Sequence, residues 1–290
     1  MKKTTSTGDY HILSLEVAEQ AAEALAEEYG ARLGLAPVQF THPGQRSVWV
    51  EFYFDRPGPA RTAAKAATGD RRVRAARVRL CPARDWQSFW RRHFTTLDIA
   101  GVLRIRPAWE RRRPTAGVKE LQINPGLSFG TGQHFTTRFC LEAVVWLCRA
   151  ARPRTMLDIG AGSGILAMTA VRFGCTRAVA LDNDLLAVEA MRENLSLNRL
   201  ARKIRAEQAD ILQAPPRGRY DLVCANLHAG LLEQCAADIA RTARGHLVVS
   251  GLREFETDAA ADRFAALGGR EIQRDGDGEW SGLVFCFTGR

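Results

Sequence analysis

The chain holds no apolar run approaching the roughly 20 residues needed to cross a bilayer. Its opening, MKKTTSTGDYHILSLEV, sets two lysines before no apolar stretch of signal-peptide length. Together these absences predict a cytoplasmic protein that engages no membrane. Paired cysteine motifs are also missing. The seven cysteines, Cys81, Cys140, Cys148, Cys175, Cys224, Cys235 and Cys286, are odd in number and include no CxxC. That excludes a recognisable disulfide framework or zinc-ligand spacing and predicts reduced, buried thiols with no metal. There is neither an internal repeat nor a low-complexity tract. With 46% hydrophobic and 25% charged residues, the composition is that of a folded globular protein rather than a disordered or fibrous one.

What is present is unevenly distributed. Residues 1–115 carry 20 Lys+Arg against 12 Asp+Glu, a net of +8, whereas the remaining residues carry 21 against 20, a net of +1. The formal charge of +9 therefore belongs almost entirely to the N-terminal part. A surface of that sign suits a polyanion or an acidic partner, and equally suits a solvated face with no partner.

The N-terminal segments read as a small α+β domain. YHILSLEV predicts a strand running into the helix of EVAEQAAEALAEEYG, with Gly30 as its stop. RSVWVEFYFD alternates as a half-buried strand does. VRAARVRL fits a strand or a helix. In DWQSFWRRHF, Asp85 is placed to cap a helix carrying Trp86, Phe89 and Trp90 on one side, a pattern that fits core packing first and a partner-binding surface as the alternative. The arginine- and proline-rich segment that follows reads as a linker. The expected division is residues 1–105 as a recognition domain, 106–120 as linker and 121–290 as a second domain.

That second domain repeats strand, glycine turn and helix: TMLDIGAGSGILAMTAVRFG, RAVALDNDLLAVEAMRENLSLN, YDLVCANLHAGLLEQCAADIA, GHLVVSGLRE. Continuous apolar strands such as AVAL and LVVS suit a parallel sheet covered on both faces, so the fold class is a doubly wound, Rossmann-like α/β domain. In LDIGAGSG, Gly160, Gly162 and Gly164 follow a strand and open a helix, where missing side chains allow a tight turn and close backbone approach to a ligand. The spacing is G-x-G-x-G, not the dinucleotide fingerprint G-x-G-x-x-G. Asp182 ends the next strand, where a carboxylate can accept two hydrogen bonds from a ribose. Asp210, after the following strand, is a weaker candidate for an adenine amino group. The combination indicates a nucleoside ligand.

These features, with Asp158 before the turn, resemble class I S-adenosylmethionine-dependent methyltransferases. The segment NPGLSFGTGQHFTT, with LDIGAGSGILA, ALDNDLLAVEAMRENLSLN and CANLHAGLL, further resembles the bacterial ribosomal protein L11 methyltransferase (PrmA) family from about Trp86 to the C-terminal EWSGLVFCFTGR. The resemblance implies a cytoplasmic enzyme with a substrate-recognition domain, a flexible linker and a methyltransferase domain. It implies methyl transfer from S-adenosylmethionine to lysine side chains and the N-terminal amine of ribosomal protein L11. It also implies cofactor contacts at Thr137, Gly160, Asp182 and Asn226, with Gly130 and Gly162 as weaker candidates. Asn226 is the candidate for positioning the amine. The glycines Gly126, Gly130 and Gly132 are expected to let a loop fold over the methionine end of the cofactor and bring Thr137 to it, or, on a competing account, only to form the turns that position the following helix. His134 and His228 are the imidazoles at hand, and no base is imposed by the motifs. Ala161 and Leu185 stand where the family more often has cysteine and proline. Two alternatives remain: methylation of another protein or ribosome-associated substrate, and an RNA-binding module with a methyltransferase-like fold. An NAD-dependent oxidoreductase would share the glycine turn and Asp182 but leaves the FGTG element and CANL unexplained. The positive charge of the N-terminal region then suggests that this domain touches ribosomal RNA while presenting the protein target, and the protein is expected to be a monomer.

Overall fold

The computed structural model describes residues 10–35, 37–41, 47–82, 95–111, 113, 115–124 and 134–287. The Asp85–Trp90 cap-and-aromatic pattern and the FGTG glycines, Gly130 included, lie outside them. By contact the chain divides into two units, Met1–His93 and Phe94–Arg290.

The first unit runs β1 (Tyr10–Ala18), α1 (Glu19–Leu33), β2 (Val38–Thr41), β3 (Ser47–Phe54), α2 (Pro57–Ala67), β4 (Val73–Cys81). Its sheet has the order β2-β3-β1-β4, and the pairs β2/β3, β3/β1 and β1/β4 are all antiparallel, the ferredoxin-like βαββαβ arrangement. Alternation along the strands sends Leu13, Leu15 and Val17 with Val48, Val50, Phe52 and Phe54 to one face, where they pack against Leu25 and Tyr29 of α1 and the alanines of α2. Burial of each large apolar side chain contributes about 1.5–3 kcal/mol, which is what holds two short helices to a four-stranded sheet. The ambiguous VRAARVRL segment is strand β4. The expected stop at Gly30 is overridden: α1 continues to Leu33, and Gly34, at φ 65°, caps it in the left-handed conformation.

The second unit begins with a three-stranded sheet, β5 (Leu97–Ile99), β6 (Leu103–Pro107) and β7 (Lys119–Ile123), in the order β5-β6-β7. This displaces the expected linker at 106–120. Its two ends are paired parallel strands, Leu103 opposite Lys119 through Pro107 opposite Ile123, and Leu103, Ile105, Leu121 and Ile123 are fully buried. Arginine and proline content speaks for a linker, while the apolar i, i+2 pairs on either side of the connection set the fold.

The main sheet comprises β8 (Thr155–Ile159), β9 (Arg177–Asp182), β10 (Ile204–Gln208), β11 (Tyr220–Asn226), β12 (Ala243–Arg253), β13 (Arg270–Gly276) and β14 (Trp280–Cys286), in the order β10-β9-β8-β11-β12-β14-β13. Five strands are parallel; β14 is antiparallel to both of its neighbours. A dinucleotide-binding sheet ordered 3-2-1-4-5-6 has no such inserted strand, which argues against the oxidoreductase alternative. The helices are α3 (Phe135–Ala150), α4 (Ile165–Arg172), α5 (Leu185–Leu197), α6 (Ala229–Thr242) and α7 (Thr257–Ala266), with a 3₁₀ turn at Glu254–Glu256. Leu157, Ile159, Val223, Ala225, Leu247 and Val249 form a core with α6 and α7. The alternate residues of the same strands point to the other face.

Gly251 marks a bulge in β12 between Ser250 and Leu252. Its φ is +88°, and an added Cβ would lie 2.3 Å from the Leu227 carbonyl oxygen, directly after Asn226. Because the obstructing atom is backbone, Gly251→Ala is expected to lower the thermal midpoint by roughly 5 °C or more through strain of a few kcal/mol. A melt within 1 °C of the wild type, by circular dichroism, would contradict that on the same scale.

Candidate functional site

Register brings the predicted residues together. Across the sheet, Gln208 pairs with Asp182, Leu181 with Ile159, Ile159 with Ala225, and Asn226 with Ser250, so the carboxyl ends of five parallel strands form one edge. This is the edge where doubly wound sheets bind ligands. Cys224 opposes Asp158 and Asp158 opposes Ala180, which places Asp158, Asp182 and Asn226 on the same face, the one away from α6 and α7.

The glycine turn after β8 is a set of left-handed residues, with φ of 66° at Gly160, 52° at Gly162 and 77° at Gly164. At Gly160 a Cβ would come within 2.3 Å of Leu227 Cδ2, so the turn and the chain after Asn226 touch because that position has no side chain. The Asp182 carboxylate ties the turn down. Its Oδ2 accepts from the Gly162 N–H at 2.8 Å and its Oδ1 from the Asp184 N–H at 3.0 Å. Burial raises the Asp182 pKa, opposed by the N–H groups of Asp184 and Gly162. Each oxygen keeps a further lone pair for a ligand hydroxyl. Asp210 sits beside this corner, since the neighbouring Ala209 N–H donates to Asp182 O. Its oxygens accept from Leu212 N–H and Gln213 Nε2 of its own turn. Leu185, Leu186 and Leu212, each about half exposed, flank the same corner with apolar surface suited to a nucleobase.

Asp158 is almost completely buried. Its Oδ2 accepts from Ala167 N–H at 3.0 Å in the first turn of α4, a helix whose N-cap, Gly164, has no side chain to do so. The helix dipole favours an anion there. Burial nonetheless pushes the carboxyl up to about 7, and its Oδ1 has no partner. The buried Thr137 hydroxyl, on the first turn of α3, is likewise unpartnered. A buried orphan acceptor costs about 1–3 kcal/mol unless something binds it. Here a hydroxyl and a carboxylate oxygen wait for polar groups, and the ammonium and carboxylate of an amino-acid moiety meet that requirement.

The Thr137 hydroxyl makes no hydrogen bond to Asn226; that of its neighbour Thr136 does. Asn226 Nδ2 donates to Thr136 Oγ1 at 3.4 Å, and Thr136 Oγ1 lies 2.9 Å from His134 Nδ1. His134 is the N-cap of α3, and its ring packs edge-on against Trp280 at 5.0 Å between centroids. The Arg253 guanidinium stacks on Trp280 at 4.0 Å. His228, the other imidazole, is exposed and caps α6 by accepting from Leu231 N–H.

Two residues of positional importance escaped the sequence reading. Asn194, completely buried in α5, accepts from Asn124 N–H at 2.8 Å and donates to Ser163 O at 3.2 Å, joining the residue that leads into the FGTG segment to the glycine turn. Asn198, capping the same helix, both accepts from Gln122 N–H and donates to Gln122 O. Their signal was ENLSLN itself, since asparagine four residues apart near a helix end is unfavourable without partners beyond the helix.

Residues 36–287 match the family described as ribosomal protein L11 methyltransferase (PrmA). A curated protein of that name from Geobacter sulfurreducens is 38% identical over 222 residues, which span 76% of this chain and 72% of the relative. One from Sorangium cellulosum is 34% identical over 264 residues, 87% of this chain and 83% of the relative. The crystal structure of ribosomal protein L11 methylase from Lactobacillus delbrueckii subsp. bulgaricus superposes with a TM-score of 0.59 at 25% identity. It covers 68% of this chain and 99% of that one.

Proposed function

The chain belongs to the ribosomal protein L11 methyltransferase family, and from that premise we propose that it transfers methyl groups from S-adenosylmethionine to lysine side chains and the N-terminal amine of ribosomal protein L11. The observation that carries the cofactor is the pair of buried, unpartnered atoms, Thr137 Oγ1 and Asp158 Oδ1, in a unit whose Asp182 closes the glycine turn. Asp158 and Thr137 would hold the amino-acid end, Gly160 and Gly162 let the backbone approach, and Asp182 accepts from the ribose. Asp210 with Leu185, Leu186 and Leu212 would border the base.

When bound, S-adenosylmethionine supplies a methyl carbon activated by a sulfonium. Asn226 orients the incoming amine from the end of β11. Attack by a neutral amine would pass that carbon from sulfur to nitrogen, the carbon–sulfur electron pair staying on sulfur and the surplus proton of the amine going to solvent, so the task left to this chain is to hold the amine neutral and in line. A free lysine amine has a pKa of roughly 10.4, so the half-buried surroundings of Asn226 help by disfavouring the ammonium form. Positioning of this kind supplies much of the acceleration in a displacement reaction. Incubation of the chain with S-adenosylmethionine and ribosomal protein L11 from the same organism should add mass in methyl steps, located to lysines or the N-terminus by peptide mass spectrometry. Intact cofactor binding with no mass gain would send the search to another substrate.

A further inference from the structure

The side chain of Asn226 has two ends of opposite hydrogen-bonding character, and methyl transfer to an amine needs one of them. A neutral amine directs its lone pair at the methyl carbon, so its hydrogens must find acceptors. Asn226 Oδ1 can serve; Nδ2 cannot. From the chain Asn226–Thr136–His134 we infer that His134 is a positioning residue, which through Thr136 holds the Asn226 amide with its oxygen toward the amine. The inference rests on the methyl-transfer reading above.

The helix cap fixes the direction of every bond. As N-cap of α3, the His134 side chain accepts from the Thr136 N–H through Nδ1. A backbone N–H can only donate, so Nδ1 keeps its lone pair and the neutral ring carries its proton on Nε2. The Thr136 hydroxyl, 2.9 Å from the same Nδ1, must then donate to it as well. Its remaining lone pairs face Asn226 Nδ2 at 3.4 Å, which leaves Asn226 Oδ1 as the end turned away from Thr136. The ring is held by the edge-on contact with Trp280, itself covered by Arg253.

Protonation of His134 reverses the chain. A proton on Nδ1 opposes the Thr136 N–H, turns the hydroxyl to accept from the ring, and aims the hydroxyl proton at Asn226. The amide must then present oxygen to Thr136 and nitrogen to the substrate. Burial lowers the His134 pKa below its ordinary 6.5, against the raising effect of Asp277 and Glu279 on the β13–β14 hairpin; Arg253 lies beyond Trp280. The ring is thus neutral at pH 7 and the reversal belongs to acid pH.

The ring nitrogen shifts of His134 in the ligand-free protein, by ¹⁵N NMR at pH 8, should show the Nε2–H tautomer; an Nδ1–H tautomer overturns the inference. Kinetically, Thr136→Val and His134→Leu should each lower kcat toward L11 by about 10- to 100-fold, as misplacement near a reacting centre does, and the double variant should lose no more than the worse single one. Cofactor Kd should stay within about threefold, which separates positioning from a collapsed site. His134→Asn keeps a cap acceptor without a titrating ring. It should recover most of that loss, and log kcat/KM against pH should keep the single-proton slope of the amine where the wild type steepens to two protons. Unchanged kcat in Thr136→Val, additive losses, or a cofactor Kd that rises as kcat falls would overturn it. Wild-type protein that binds cofactor yet methylates no amine of L11 overturns the functional reading, and this inference with it.

Discussion

Asp158→Asn is expected to raise the thermal midpoint of the ligand-free protein at pH 8 while weakening S-adenosylmethionine binding, two effects of opposite sign from one atom. The carboxyl is buried and its value is pushed from an ordinary 3.8 up to about 7. Since the folded-state value lies above the unfolded one, ionisation is a cost to folding. The cost begins above the unfolded value, grows with pH to about 7 and then levels off. Three units correspond to roughly 4 kcal/mol. Asparagine keeps an oxygen for Ala167 N–H and puts an uncharged amide nitrogen where Oδ1 has no partner. That nitrogen, unsatisfied, costs about 1–3 kcal/mol, so a net gain of about 1–3 kcal/mol remains at pH 8. At about 2–4 °C per kcal/mol the midpoint should rise by several degrees, and the advantage should vanish near pH 5, where the wild-type carboxyl is already neutral.

The cofactor side runs the other way. A bound ammonium favours the ionised carboxylate, so wild-type affinity should climb as pH rises to about 7, with a proton released on binding, and flatten above it. In Asp158→Asn the ionic partner is gone. Affinity should drop about 10- to 100-fold, the worth of a hydrogen bond to a charged group, and lose its pH dependence below 7. Calorimetry at pH 6 and 8 reads both. A variant that melts below the wild type at pH 8 and binds cofactor as well as before would remove Asp158 from the site.

Which parts of this were legible in the sequence follows from the range of the interactions. Glycine turns, strand-end acids and apolar runs act over a few residues, so LDIGAGSG, Asp182 and the doubly wound order could be read directly. Beyond the glycine spacing, what separates the sheet from that of a dinucleotide domain is β14, whose antiparallel insertion is a pairing choice that no local pattern in EWSGLVFC encodes. The 106–120 segment misled for a related reason. Composition describes the connection alone, while the pairing of Leu103–Pro107 with Lys119–Ile123 depends on partners a dozen or more residues away. At the site, a reading by motif stopped at Thr137. The contact with Asn226 belongs to Thr136, ninety residues distant, and only the first turn of α3 set against the end of β11 reveals it.

Asp182 should prove the side chain least open to replacement, because it holds the glycine turn and, on the proposed function, the ribose as well. Asp182→Ala removes the proposed ribose acceptor and frees the N–H groups of Gly162 and Asp184. Two hydrogen bonds to a charged acceptor amount to about 3–6 kcal/mol, so cofactor affinity should fall by at least about 100-fold and methyl transfer to L11 should disappear at ordinary cofactor concentrations. The near-isosteric Asp182→Asn is expected to be no milder. With its oxygen on one backbone N–H, its amide nitrogen must face the other, donor against donor, and the glycine turn is pushed open. Alanine lets water reach both N–H groups and should retain a higher thermal midpoint than asparagine, although it makes fewer contacts. The ordering separates the two tasks: cofactor titration reports the ribose, while the melts of the two ligand-free variants report the turn. Asp182→Ala binding within about threefold of the wild type would take the ribose away from Asp182. If Asp182→Asn melts above Asp182→Ala, the two backbone bonds do not hold the turn.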